Sequence, residues 1–178
     1  LSGSNPAQTG NRIASVDTTS TVGSIVINQD AVNTFRTDID TAAAAGTFLR
    51  FDAAGAGPAS VTANSIAGAT GNTNFTASMW FTDQTEFNVN NVTATSAAGA
   101  VTLTGRMSGS GGITKNGPGL MTMANGGDEG ATRDYTGPTI INGGRLRLSP
   151  AIPLTGTSSF TVNAGGQLHA QANGTFTL

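Results

Sequence analysis

The feature that most constrains this sequence is a series of very short alternating runs that follow one another with little but glycine and asparagine between them. In Tyr135 to Pro150, YTGPTIINGGRLRLSP, the runs Thr-Ile-Ile-Asn and Arg-Leu-Arg-Leu are separated by Gly-Gly alone. Period-two alternation of apolar and polar residues marks strands with one face turned inward. It recurs at Ile25 and Ile27, Leu49 and Phe51, Phe75 to Phe81, Phe87 and Val89, Val101 and Leu103, Met121 and Met123, Leu146 and Leu148, Phe160 and Val162, and Phe176 and Leu178. Helical periodicity is scarce. In QDAVNTFRTDIDTAAAAG, Val32, Phe35 and Ile39 share a helix face, with Asp30 as a cap and Gly46 as a stop. The same segment reads as a strand with Phe35 and Ile39 inward, which the low helix propensity of Thr, Asn and Asp favours.

The runs also repeat. An apolar residue followed by Asn closes a strand at Ile27-Asn28, Val89-Asn90, Ile141-Asn142 and Val162-Asn163. Ile141 to Val162 is 21 positions, Leu146 to Leu168 is 22 and Leu103 to Met123 is 20, while Ile27 to Val89, at 62, is close to three such steps. A short repeat of strands and tight bends predicts a solenoid. The expected fold is therefore all-β, one solenoid over residues 1–178 in roughly eight coils, about 40 Å long at the usual strand spacing, with residues 1–12 as a linker or end segment. Each strand would pair with its equivalents in the coils above and below, so consecutive strands need only a corner between them. Asn28, Asn90, Asn142, Asn163, Gly143 and Gly144 are the expected corner residues, since Asn and Gly tolerate positive φ. Equivalent asparagines would stack as an amide ladder. Ile141 and Val162 are expected in one buried column, where each aliphatic side chain contributes about 1.5 to 3 kcal/mol.

Composition narrows the function. Charged residues are 10% of the chain, against about a quarter in ordinary globular proteins, and Thr and Asn take their place. This balance suits exported β proteins. A net charge of -2 with scattered Lys and Arg argues against nucleic acid. The absence of cysteine excludes disulfides, thiolate metal sites and a cysteine nucleophile. No run approaches the ~18 apolar residues of a membrane-spanning helix. The start at Leu1 suggests a removed export signal or a segment of a longer chain.

The stretch GSGGITKNGPGLMTM, Gly109 to Met123, followed by YTGPTIINGGRLRL, Tyr135 to Leu148, resembles the autotransporter-associated β-strand repeat, also called the passenger-associated transport repeat. That family carries Gly-Gly-Leu-Thr-Lys-x-Gly-x-Gly-x-Leu-x-Leu leading into Tyr-Thr-Gly-Gly-Thr-x-Val-Asn-x-Gly-x-Leu. Gly111, Gly112, Thr114, Lys115, Gly117 and Gly119 fall on its positions, as do Tyr135, Thr136, Gly137, Asn142, Gly144, Leu146 and Leu148. The match is specific over residues 109–148. Two departures stand out: NGGDEGATRD lengthens one loop, and Pro138 replaces a Gly, removing a backbone donor. The resemblance implies a right-handed parallel β-helix of an exported surface protein, commonly followed by an outer-membrane barrel whose strands this chain does not show.

Candidate chemistry is thin. His169, the only histidine, alternates outward and belongs to no catalytic motif. The lengthened loop holds Asp128, Glu129, Arg133 and Asp134, a solvated segment or, with an outward Trp80, a partner contact; its carboxylates could be offered to calcium, but the spacing fits neither an EF-hand loop nor the nonapeptide calcium repeat. Arg145 and Arg147 point outward from one strand, where they serve solubility and oppose edge association or, as the alternative, meet another subunit or a polysaccharide. Asp38, Asp40, Asp52, Asp83 and Glu86 would form a glycan-cleaving cluster only in a chosen coil register, and the spacing of Arg36 with Asp38, and of Arg50 with Asp52, suits surface pairing instead. GSGSGGITKNGPG lacks the Gly-Lys-Ser/Thr ending of a phosphate loop.

The expected function is a non-enzymatic cell-surface or secreted module, a rigid adhesin-type passenger or stalk on the bacterial outer surface. It would use no cofactor, and its partners would be copies of itself, other surface proteins or glycans. The alternatives are a filament subunit stacking head to tail and, further off, a polysaccharide-active β-helix enzyme.

Overall fold

A computed structural model of the protein describes residues 12–16, 18–29, 36–41, 46–65, 71–90, 101–124, 132–148, 154 and 156–170. These residues form strands and no helix. In chain order the strands are β1 (Arg12–Val16), β2 (Ser20–Val22), β3 (Ser24–Gln29), β4 (Thr37–Thr41), β5 (Leu49–Phe51) and β6 (Ala59–Ser65). Next come β7 (Thr73–Phe75), β8 (Met79–Phe81), β9 (Thr85–Val89), β10 (Val101–Leu103), β11 (Met107–Gly109) and β12 (Ile113–Asn116). The last are β13 (Leu120–Met123), β14 (Thr139–Ile141), β15 (Gly144–Leu148), β16 (Phe160–Val162) and β17 (Gly166–Ala170).

Three sheets result, and every strand pairing is parallel. The first runs β1-β4-β7-β10-β13-β15-β17, the second β2-β5-β8-β11, and the third β3-β6-β9-β12-β14-β16. Successive strands of the chain step from sheet to sheet, and each returns above its equivalent one turn earlier. The protein is a parallel β-solenoid. The predicted pairs Leu103 with Met123, Ile141 with Val162, and Leu146 with Leu168 are all register partners.

The number of coils differs from the expected eight. Among the described residues four turns carry all three strands, after which the second sheet continues only as a single bridge from Met107 to Arg133. The repeat is uneven, with partners 36 positions apart from Ser24 to Ser60, 26 from Ala59 to Thr85 and 28 from Thr85 to Ile113. Ile27 therefore reaches Val89 in two turns, through Ala63, and not in three. Ladder pairing constrains the strands, whereas corners absorb insertions at small entropic cost. The seven strands of the first sheet span about 29 Å rather than 40.

Ile39 lies in β4 and is buried, so this part of the ambiguous segment is strand; Val32 and Phe35 lie outside the described residues, as does the expected strand at Phe176 and Leu178. The core fills the space between the sheets. Phe51 stacks on Phe81 at 5.6 Å between ring centres, and Phe87 meets Phe81 edge-on at 6.4 Å. Bonds from Asp134 N to Met107 O and from Thr136 N to Gly109 O place Tyr135 over Gly109. Gly109 has no side chain, so Tyr135 reaches across it to Phe81, at 5.8 Å and nearly perpendicular.

The corners are tight. A Cβ at Gly111 would lie 2.0 Å from the Asp83 carbonyl oxygen of the turn below. Gly144 combines φ +62° with carbonyls that a Cβ would meet at 2.6 Å. At Gly143 the nearest atom would be 3.4 Å away, so Gly144 carries the geometric requirement at this corner.

Asparagines stack beside these corners in two ladders. Asn64 Nδ2 donates to Asn28 Oδ1 at 2.8 Å and Asn90 Nδ2 to Asn64 Oδ1 at 2.9 Å. Asn116 then pairs with Asn88, not Asn90, at 3.0 Å, and the second ladder continues through Asn142 at 2.9 Å to Asn163 at 2.7 Å. The step of two positions arises because β12 pairs Asn116 with Asn88. Val162 departs from its expected burial: it sits over Ile141 but is 45% exposed, because β16 is the last strand of the third sheet.

Candidate functional site

On the outer face of the second sheet, alternation turns Leu49, Phe51, Met79, Phe81 and Met107 inward. Arg50, Trp80 and Ser108 therefore project outward and stand above one another in register. Beside them runs a second row. Leu49 N donates to Ser78 O at 2.8 Å and Met79 N to Arg106 O at 2.7 Å, so Phe48, Ser78 and Arg106 occupy successive turns. Ser78 is small and its neighbours in the row are large. The result is a notch of about 230 Å³, walled by Phe48, Trp80, Arg106 and Ser108 with Met79 at its base.

Trp80 is 40% exposed, and its ring centre lies 5.8 Å from that of Phe48. The Arg50 guanidinium lies 6.0 Å from the Phe48 ring centre, within cation–π range. At the upper rim Arg106 Nη2 donates to Asp134 Oδ2 at 2.9 Å, and Ser108 Oγ donates to the other carboxylate oxygen. Burial pushes the Asp134 carboxyl up, but the hydrogen bonds from Ser108 and Arg106 and the Arg106 charge outweigh it and hold the group below its ordinary value. The rim thus presents a fixed ion pair beside two aromatic rings.

The structure brings Trp80 and Asp134 to this face but not Arg133. Arg133 was expected in a surface loop, yet it is 1% exposed and donates from Nη2 to Met123 O at 2.7 Å. Its bridge to the inward-facing Met107 fixes it inside, and burial lowers its guanidinium to about 10. Asp128 and Glu129 lie outside the described residues. Tyr135, also buried, shares a hydrogen bond with Thr139 Oγ1 at 2.7 Å, and desolvation pushes its phenol up to about 12.

Lys115 was read only as a motif position, and the structure places it in the core. It occupies the column of Phe87 and Ile141, with no solvent exposure. Its ammonium donates to Asn116 O and Gly117 O at 2.8 Å and to Gly143 O at 3.1 Å. Three donors meet three carbonyls across two turns, so the cation ties one corner to the next. Desolvation lowers it to about 8. The alternation Ile113, Lys115 was the available signal, since both share one parity.

The carboxylates do not converge. Asp38 pairs with Arg36 at 2.7 Å on β4 of the first sheet, as their spacing suggested, and Asp40 lies on the same strand. Arg50 and Asp52, expected to pair, take other partners, Arg50 the Phe48 ring and Asp52 the Ala54 amide at 2.8 Å. Asp83 accepts from Ala53 N at 2.6 Å, and Glu86 stands on β9 of the third sheet. Among the described residues no group of three His, Asp or Glu side chains is close enough to hold a metal ion. Arg145 reaches Gln167 at 3.4 Å, and exposed His169 is the register partner of Arg147. Among the described residues no helix is long and apolar enough to cross a membrane.

Compared with known proteins, the chain matches no family model, no curated protein and no solved structure.

Proposed function

We propose that this protein is a non-enzymatic surface or secreted module of a bacterium, a rigid passenger or stalk of the autotransporter-associated repeat type. The observation that carries the reading is the stack of parallel rungs, continuous through the seven strands of the first sheet, with side chains filling the interior. The two asparagine ladders and the Lys115 tie add hydrogen bonds from turn to turn. A close-packed interior resists compression, which suits a spacer. Asp38 and Asp40 on the first sheet stand apart from Asp52 and Asp83, which share the corner that follows β5 and β8, and this separation favours a structural over a catalytic role. The low charge and the Gly109 to Leu148 motif favour export to the outer surface. An antibody raised against the purified protein, applied to intact and to permeabilised cells of the source organism, tests this. Labelling of intact cells is expected, and labelling only after permeabilisation overturns it.

Exposed Val162 on the last described strand of the third sheet, and an apolar cavity at the first described turn, favour a second reading, head-to-tail self-association. Val162, with half-buried Phe160 and Leu168, lies on the last strands of two sheets. At the other end Val16, Val22, Ile25, Ile39 and Leu49 line an apolar cavity of about 290 Å³. Edge strands of this kind template further pairing. Light scattering that grows with protein concentration, and is abolished by Val162→Asp, would support this reading; a concentration-independent monomer removes it.

A further inference from the structure

We propose that the notch between Phe48, Trp80 and Arg106 binds one acidic sugar residue, a uronate ring of a polysaccharide. This goes beyond the spacer role and does not depend on it. The apolar C–H face of a pyranose packs against aromatic rings, and Trp80 and Phe48 offer two rings 5.8 Å apart and inclined by 37°, a shallow concave wall. The space of about 230 Å³ falls below the ~300–1,000 Å³ typical of pockets for whole drug-sized molecules. It accommodates one ring of a longer chain that passes over the face.

Charge selects the ligand. At the notch the Arg106 guanidinium pairs with the Asp134 carboxylate, and the Arg50 guanidinium stands beyond it on the Phe48 ring, on a chain whose net charge is -2. A planar guanidinium recognises a carboxylate through two parallel hydrogen bonds. Arg106 is held in place by Asp134, and Asp134 and Ser108 line the rim where neighbouring hydroxyls would lie. The ring stacks on Trp80, its carboxylate meets Arg106, and its hydroxyls meet the Asp134 and Ser108 oxygens.

Trp80 is the only tryptophan in the chain, so its fluorescence reports on this site directly. The intact protein is titrated with tetragalacturonate at low salt, and in parallel with neutral maltotetraose. The expected result is a saturable fluorescence change with the acidic sugar that weakens as salt rises, and a response about tenfold weaker with the neutral one. Arg106→Gln, a substitution at a half-exposed position, should weaken tetragalacturonate binding about tenfold while the melting temperature stays within a few degrees. No saturable change with tetragalacturonate, an equal response to maltotetraose, or unchanged binding by a folded Arg106→Gln would each overturn the proposal. Isothermal titration of Trp80→Leu supplies a reading without the fluorophore: binding should be lost, and full retention would equally overturn it.

Discussion

Two stretches of this solenoid are held together by different means. From β5 to β9 the interior is aromatic: Phe51, Phe75, Phe81 and Phe87 are all completely buried and touch one another in a chain of stacked and edge-on contacts. From β11 to β15 Tyr135 is the one buried ring among the described residues, and glycine and buried cations take over. There the backbones of successive turns approach until no Cβ fits at Gly111 or Gly144, and Lys115 and Arg133 bind carbonyls inside. The first stretch depends on volume removed from water, the second on backbone proximity and full satisfaction of polar groups. One fold thus tolerates two solutions, provided the rungs stay in register.

The sharpest attack on the aromatic stretch is Phe81→Ala. Phe81 contacts Phe51, Phe87 and Tyr135, so the loss should be about 3 to 5 kcal/mol by urea denaturation. A value under about 1 kcal/mol would mean that the rings do not form a common core. In the glycine stretch, Gly111→Ala removes no apolar group and adds one methyl. The predicted Cβ contact of 2.0 Å with Asp83 O should nevertheless cost about 2 to 3 kcal/mol in the same assay. Tolerance of alanine there would erase the contrast between the two stretches.

Lys115 gives the contrast a pH signature. Its ordinary value of 10.5 falls to about 8 in the folded protein through burial. Between these values the unfolded chain binds the proton and the folded one does not, so stability rises with pH. The contribution is fully present above about 10.5 and lost as pH falls to about 8. Denaturation midpoints should show a gain of about 1.5 kcal/mol from pH 8 to pH 9.5, absent in Lys115→Met. A flat profile would show that the three carbonyls fully compensate the ammonium for its lost water. The window stops there because Tyr135, raised to about 12, makes the folded state lose stability above its ordinary value of 10.0. The smallest effect is expected from Asn116→Ala, which removes one donated and one accepted ladder bond, about 1 kcal/mol by thermal melting. Loss of 3 kcal/mol or more would make the ladder a principal support.

Much of this was readable in advance where coils are short. Ile141 over Val162 and Leu146 over Leu168 follow directly from their spacing, since little besides a corner separates those strands. The spacing of Ile27 and Val89 misled because inserted corners lengthen a turn without disturbing the alternation of its strands. The corner asparagines at 28, 90, 142 and 163 were visible as residues that follow an apolar strand position, but the step from Asn90 to Asn88 depends on pairing between turns, which no local pattern encodes. Arg133 read as a loop charge and Lys115 only as a motif position, because burying a cation is ordinarily costly; here neighbouring carbonyls offset part of that cost. The Phe48–Trp80–Arg106 notch was only partly legible, since Trp80 was recognised as outward but its neighbours come from other turns.

The claim beneath all of this is that residues one turn apart lie directly above each other. Because the chain has no cysteine, paired substitutions test it cleanly. Ser24 and Ser60 are register partners whose hydroxyls lie 3.1 Å apart, and Glu86 is the partner of Ser60 in the next turn. Under mild oxidation Ser24→Cys with Ser60→Cys should cross-link nearly completely, since adjacent rungs at about 4.8 Å fall within disulfide range. Ser24→Cys with Glu86→Cys, about 9.6 Å apart, should remain reduced. Failure of the first pair, or equal cross-linking of both, would contradict the stacked solenoid.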